Sequence, residues 1–208
     1  MAPTTTPNAL APERLSARER LLAAANELFY EEGVHTVGID RIIERAGVAK
    51  ASLYNTFGSK DELVRAYLAG RHDARQARIT DMIDRYDTPR ERLLGVFDAL
   101  AVLAAEPGFR GCALINASAE SLPGSPVEVV SDESRAWTRR LFTELAEAAQ
   151  VADPTTLAVQ LVLLYDGAGI GARMDRNPAA AVAARAVAET LLDAALAQSP
   201  AAGQPSAG

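Results

Sequence analysis

The sequence predicts an all-α protein of about nine helices, and three observations carry that prediction. Helix starts are marked by capping signatures. Apolar residues recur every three to four positions. No run of four or more alternating β-branched or aromatic residues is present to suggest a strand.

Four stretches fit a capping box, in which a Ser or Thr oxygen accepts from the amide three residues on and a Glu reaches back to the cap amide. They are Ser16–Glu19, Ser59–Glu62, Thr88–Glu91 and Ser125–Glu128. Pro89 and Pro126 then stand at first helical positions, where the missing N–H removes no helical hydrogen bond. Asp153–Pro154 and Asn177–Pro178 repeat the cap-plus-proline pattern, while Gly33, Gly47, Gly58, Gly108 and Gly124 mark stops.

Between these signals the apolar faces can be read in order. Leu21, Leu22, Ala25, Leu28 and Phe29 line a first helix, and Ile39, Ile42, Ile43 and Ala46 a short second one. A long helix runs from Ser59 to about Tyr86, with Gly70 inside it at a cost of up to ~1 kcal/mol relative to Ala. That glycine marks either a kink or close packing. Val130, Ser134, Trp137, Leu141, Leu145 and Ala148 form the face of the helix after Ser125. Near the C-terminus Ala179, Val182, Ala183, Ala186, Val187, Thr190, Leu191 and Ala194 make a stripe of small residues. Segments 1–13 and 199–208 are rich in Ala, Pro, Thr, Ser and Gly without periodicity, and disorder is expected there.

A chain of 208 residues, 49% hydrophobic and 23% charged, has the composition of one large or two small globular domains. No span of 18 or more apolar residues stands out, so no transmembrane helix is expected. The start lacks a basic segment followed by an apolar one, so no secretory signal is expected either. With Cys112 alone no intrachain disulfide can form, and a cytoplasmic location is the expectation. Net charge is −6, which at first argues against a nucleic-acid partner. Its distribution changes that: Arg14 to Arg78 carries 11 basic against 9 acidic residues, and the remainder 10 against 18. A mildly basic N-terminal third beside an acidic remainder suggests two jobs in one chain.

The stretch "GVAKASLYNTFGSKDEL", Gly47 to Leu63, shows what the first job is. Gly47 ends the second helix, Val48 and Ala49 make a turn, and another short helix follows through Thr56. Two short helices joined by such a turn form a helix-turn-helix, whose second helix enters the DNA major groove. Ala51 and Ser52 are slim enough for close approach, while Lys50 and Asn55 offer donors to bases or phosphates. Tyr54 and Thr56 can reach phosphate oxygens, and Lys60, in the first turn of the next helix, can hold another. Leu53 and Phe57, four apart, pin the helix to its own core.

From Ser16 to Leu63 the chain closely resembles the N-terminal domain of the TetR family of bacterial regulators. "LLAAANELFYEEG" and "IDRIIERAGVAKASLYNTFGSKDELV" carry the resemblance, through the Ala-Gly-Val-x-Lys turn, the Leu-Tyr-x-x-Phe end and the Ser-Lys-x-x-Leu start. The resemblance implies a helix-turn-helix over Gly38 to Phe57, with DNA contacts from Thr36, Gly38, Arg41, Lys50, Ala51, Ser52, Tyr54, Asn55, Thr56 and Lys60. Val37 and Gly38 stand where many members have a pair of hydroxyl residues, and Ala49 where Ser or Thr is common. Hydroxyl groups for capping and phosphate binding are therefore missing. The implied domains are an arm at 1–13, a DNA-binding domain at 14–58, a ligand-binding and dimerisation domain at 59–198, and a tail at 199–208.

For that second domain the resemblance implies a pocket among the middle helices. The candidate lining residues are Met82, Tyr86, Phe97, Leu100, Phe109, Cys112, Asn116, Glu120, Trp137, Leu141 and Tyr165. Cys112, near a helix start and two residues after Arg110, is also a candidate sensing thiol. "DGAGIGAR" lacks the spacing of a dinucleotide loop, and its glycines suit close helix approach instead. A dimer interface from the last two helices is implied, with Leu161, Leu164, Ala168, Ala172, Val182, Ala186, Val187 and Leu191 in it. His35 and His72 are far apart in sequence and no nucleophile or phosphate-loop motif occurs, so neither enzyme, metal nor cofactor is expected. The expected function is a dimeric, sequence-specific regulator, a repressor released from a palindromic DNA operator by a small molecule. A thiol-reactive sensor using Cys112, and a helical ligand-binding dimer without DNA binding, are the alternatives.

Overall fold

The computed structural model describes residues 15–198. The two end segments expected to be disordered, and Arg14, lie outside the described residues. Among the described residues there are nine helices and no strand. They are α1 (Ala17–Glu32), α2 (Ile39–Ala46), α3 (Lys50–Phe57), α4 (Lys60–Ile83), α5 (Pro89–Ala104), α6 (Ala113–Glu120), α7 (Pro126–Ala148), α8 (Pro154–Asp175) and α9 (Ala179–Ala197). They fall into two compact units that divide between Leu63 and Val64, one turn inside α4.

The first unit is built by α1, α2, α3 and the start of α4. A capping box at Ser16 starts α1: Glu19 N–H donates to Ser16 Oγ at 3.2 Å and Ser16 N–H to the Glu19 carboxylate at 2.7 Å. These bonds to the anion hold the Glu19 carboxyl below its ordinary value. Leu21, Ala24, Ala25, Leu28 and Phe29 of α1 are buried with Val34, Val37, Ile42, Ala46, Leu53 and Leu63. Burial of this set is what holds the short helices α2 and α3, which are too short to be stable alone.

The second unit runs from Val64 through α9, and its core is drawn chiefly from α5, α7, α8 and α9. Phe97, Phe142 and Tyr165 stand at its centre with ring centroids 5.8–6.1 Å apart; Tyr165 meets both phenylalanines edge-on, an arrangement aromatic pairs prefer, and the two phenylalanines are tilted at 41°. Burial pushes the Tyr165 hydroxyl up to about 12. The Thr88 capping box forms as expected, and Asp153 and Asn177 each accept an amide at the starts of α8 and α9.

Several expectations are corrected. The Ser125 box does not form: Ser125 makes no side-chain cap bond, and the Glu128 carboxylate takes the Gly124 N–H instead. Gly108 and Gly124 are not helix caps, since Ala105 and Ser121 end α5 and α6; both glycines serve later turns at φ near +80°. Gly70 does not mark close packing, for a Cβ there would meet nothing within 4 Å. The buried face of α7 centres on Ser134, Thr138 and Phe142, with Trp137 and Leu141 only flanking it and Ala148 exposed. On α9 the buried residues are Ala181, Ala184, Ala188 and Leu192, so the small-residue stripe read from the sequence lies largely on the outer side.

Helix α8 carries large apolar residues on both its inner and its outer face. By length and composition it qualifies as a membrane span, which corrects the expectation that no stretch does. Its inner face, Leu157, Leu161, Tyr165, Ala168 and Ala172, packs in the protein. Its outer face exposes Val159, Leu163, Ile170 and Met174.

Candidate functional site

In the first unit, α2 ends at Gly47, whose φ of 62° and ψ of 43° are left-handed and suit a residue without a Cβ. The Val48 N–H returns to Ile43 O at 3.1 Å, closing a Schellman-type cap. Arg20 of α1 clamps the same turn: its Nη1 donates to Gly47 O at 2.9 Å and to Ala46 O at 3.4 Å. The sequence reading missed Arg20, because nothing local links it to a turn so far along the chain. Together these contacts set the angle at which the chain enters α3.

Leu53 is fully buried and anchors α3, and the Arg18 guanidinium lies 5.6 Å from the Phe57 ring centroid. Lys50, Ala51, Tyr54, Asn55 and Thr56 are exposed, and Ser52 is half-buried. The Thr56 hydroxyl donates to Ser52 O at 2.6 Å within the helix, so its proton is engaged there. Thr36, Gly38 and Arg41 are exposed at and near the start of α2. Neither α2 nor α3 has a side-chain N-cap, since Gly38 and Ala49 stand at the caps. The Ser52 N–H of α3 donates to Ala49 O at 2.9 Å, and the remaining first-turn amides are left for water or for an anion. Val37 is fully buried, so the residue in place of a hydroxyl serves the core.

The basic groups of this surface are mostly paired. Lys50 Nζ donates to Asp40 Oδ1 at 2.9 Å, and that bond raises the lysine pKa. Arg41 pairs with Glu32, and Arg45 grips Glu27 through Nε at 3.1 Å and Nη2 at 2.7 Å. Lys60 stands 5.9 Å from the Phe29 ring centroid, and burial lowers its pKa.

In the second unit a cavity of about 70 Å³ opens among α4, α6, α7 and α8. It is lined by Arg75, Cys112, Leu114, Ile115, Ser118, Ser131, Ser134, Arg135, Thr138, Val162 and Asp166. Of the eleven residues expected to line a pocket, Cys112 is in the wall of this cavity. Phe97, Leu100 and Tyr165 are core, and Met82, Trp137 and Leu141 pack against that core. The Tyr86 hydroxyl donates to Asp98 at 2.9 Å, which raises its pKa. Asn116 is held between Arg110 O and Arg173, Phe109 is half-buried, and Glu120 is exposed. The hydroxyls at Ser131, Ser134 and Thr138 share one face of α7 at i, i+3 and i+7, but that spacing does not by itself name their partner Arg75.

Of the residues expected in a dimer interface, Leu161, Ala168 and Ala172 are buried inside the chain's own second unit, and Leu164 and Leu191 pack partly against its core. Val182, Ala186 and Val187 are exposed. Gly171 approaches α9 of the same chain, where its Cβ would stand 3.1 Å from Ala180 Cβ.

A helix-turn-helix on three packed helices, followed by an all-helical unit with its own core and cavity, defines a class of bacterial regulators. Residues 21–67 match the family described as bacterial regulatory proteins, tetR family. The chain is 30% identical over 180 residues to the transcriptional regulator AcuR of Cereibacter sphaeroides, covering 81% of each. It is 39% identical over 84 residues to the repressor KstR2 of Mycobacterium tuberculosis, a match spanning 42% of that protein. A TetR-family regulator from Streptomyces coelicolor superposes with a TM-score of 0.82 at 33% identity, over 86% of this chain and 95% of that one. One from Streptomyces avermitilis gives 0.78 at 37%, over 87% and 98%. The chain belongs to the TetR family of transcription regulators.

Proposed function

We propose that this regulator is a cytoplasmic homodimeric repressor that binds a palindromic operator through α3 and leaves it when a small molecule fills the cavity of the second unit. The observation that carries the DNA contact is the exposed face of α3. Lys50, Ala51, Tyr54 and Asn55 stand outward on a helix fixed from behind by Leu53 and from its start by the Gly47 turn. Uncapped amides of α2 and α3 are further donors for phosphate. Repression is inferred from KstR2, a repressor by name; the related FasR of Mycolicibacterium smegmatis is an activator by name.

The dimer rests on the outer faces of α8 and α9, where Val159, Leu163, Ile170, Met174, Val182 and Val187 are all exposed large apolar residues. A second copy packed on this face through a two-fold axis would bury them. The deciding experiment is fluorescence anisotropy on DNA flanking the protein's own gene, with wild type beside Lys50→Ala and Tyr54→Ala. Saturable, sequence-selective binding that both variants weaken upholds the reading. Equal binding by all three rules out α3 as the reader. A thiol-sensing version draws on the place of Cys112 in the cavity wall. It requires that Cys112→Ser abolish release by electrophiles.

A further inference from the structure

The cavity of the second unit contains one cation without a carboxylate. Arg135 and Asp166 both line it and neutralise each other, with Arg135 Nη1 2.8 Å from Asp166 Oδ2. Arg75 has no such partner. Its Nη2 donates only to neutral oxygens, Ser134 Oγ at 2.9 Å, Thr138 Oγ1 at 2.8 Å and Ser134 O at 3.5 Å. Its Nε is buried without a hydrogen-bond partner, and so is the Ser131 hydroxyl on the same wall. Ser134 and Thr138 are themselves almost fully buried, and the Thr138 hydroxyl proton is spent on Ser134 O at 2.9 Å. The hydroxyls and the face of the Trp137 ring therefore position the guanidinium, and no carboxylate pairs with its charge. Buried polar groups are satisfied in nearly all folded proteins, so two unpartnered atoms on one cavity wall point to a hydrogen-bonding occupant.

The geometry points to a small organic carboxylate as the occupant, its oxygens taking the Arg75 guanidinium edge and the Ser131 hydroxyl. A carboxylate accepts charge-assisted hydrogen bonds from a guanidinium, here from the unpartnered Nε, and it supplies the missing negative charge. The cavity, about 70 Å³, is far below the ~300–1,000 Å³ of sites for drug-sized ligands, so the acid has a short chain. Leu114, Ile115 and Val162 give that chain an apolar wall. This inference deepens the reading above, since it names the class of molecule for which the second unit is built.

The test needs no DNA, so its failure and the failure of the operator reading are distinguishable. Trp137 is the only tryptophan of the chain, and the Arg75 guanidinium carbon lies 5.6 Å from its ring centroid. Intrinsic fluorescence of the full-length protein is titrated with sodium acetate, propionate and butyrate at constant ionic strength. Propionamide, chloride and sulfate are the controls, and thermal unfolding is followed in parallel. The expected result is a saturable fluorescence change and a raised melting temperature with at least one carboxylate and with no control. Arg75→Gln is expected to weaken the apparent affinity roughly tenfold or more. Arg75→Lys retains part of it, and Ser131→Ala, which leaves the Arg75 cradle in place, weakens it by a smaller factor. If Arg75→Gln fails to fold, the Ser131→Ala and Arg75→Lys pair carries the comparison. Equal response to propionamide or to inorganic anions, unchanged affinity in all these variants, or no response by either readout overturns the assignment.

Discussion

Lys50 Nζ donates to Asp40 Oδ1 at 2.9 Å, so the first basic side chain of α3 is held by a carboxylate of α2. Both side chains are well exposed, and an exposed ion pair contributes little to stability because water and salt screen it. The pair can therefore open when a phosphate offers a better partner. Two substitutions separate its halves. Lys50→Ala removes the cation, and DNA affinity is expected to fall with the salt slope shallower by about one. Asp40→Asn removes the competitor, and non-specific affinity is expected to rise. A fall in both variants, measured by anisotropy over a salt series, would mean that the pair serves only to hold α2 against α3.

The Arg20 clamp on the α2–α3 turn is a second point of control. Arg20→Ala is expected to destabilise the protein by about 1 kcal/mol in chemical denaturation. Gly47→Ala is expected to cost about 1–2 kcal/mol, because the left-handed backbone there penalises a Cβ. Gly47→Asn should recover part of that loss.

Two helix glycines predict opposite signs for the same change. A Cβ on Gly95 would stand 2.7 Å from Tyr86 Cε2, and that ring is tethered by its hydroxyl to Asp98. Gly95→Ala should cost about 1–3 kcal/mol through overpacking. Gly70 has open space around it, so Gly70→Ala should stabilise by up to ~1 kcal/mol. Thermal unfolding of both variants checks the pair, and loss of stability in Gly70→Ala would show that the position is constrained by something beyond this chain.

On the outer faces of α8 and α9, Leu163 is 66% and Met174 75% exposed in the single chain, the surface on which the proposed dimer rests. Leu163→Glu combined with Val187→Glu is expected to give a folded monomer by sedimentation velocity, since neither side chain belongs to the core. An unchanged dimer would move the interface to another face.

His72 supplies a pH window. Burial, then the nearby Arg75 charge, lowers its folded pKa below 6.5, while Asp73 and Glu133 act in the opposite sense. The unfolded chain binds the extra proton first. The stabilising contribution is thus complete above about pH 6.5 and is lost as pH falls through the lower folded value. The melting temperature should decline on going below pH 6.5, and His72→Gln should flatten that part of the profile. The capped carboxylates Glu19, Glu91 and Asp153, whose pKa values are also lowered, act only at more acidic pH.

The helix-turn-helix was legible in the sequence because its determinants are local. Gly47 needs a left-handed turn, Ser59 caps the next helix through the Glu62 amide, and Leu53 has only one apolar face to choose. Helix α8 was not legible in the same way. Both of its faces are apolar, so periodicity cannot tell Leu161 and Ala168, which turn inward, from Leu163 and Ile170, which turn out. The cavity was hidden for a different reason. Arg75 meets Ser134 and Thr138 across 59 and 63 residues of sequence, a contact that packing creates and no local pattern announces.

Salt-dependent anisotropy on DNA flanking the protein's own gene, comparing wild type with Tyr54→Ala, is the most direct test of the regulator reading. It predicts saturable, sequence-selective binding by wild type, a steep fall in affinity as salt rises, and weakened binding by the variant. Absence of any salt-sensitive binding, or identical binding by Tyr54→Ala, would contradict the assignment of α3 as the surface that reads DNA.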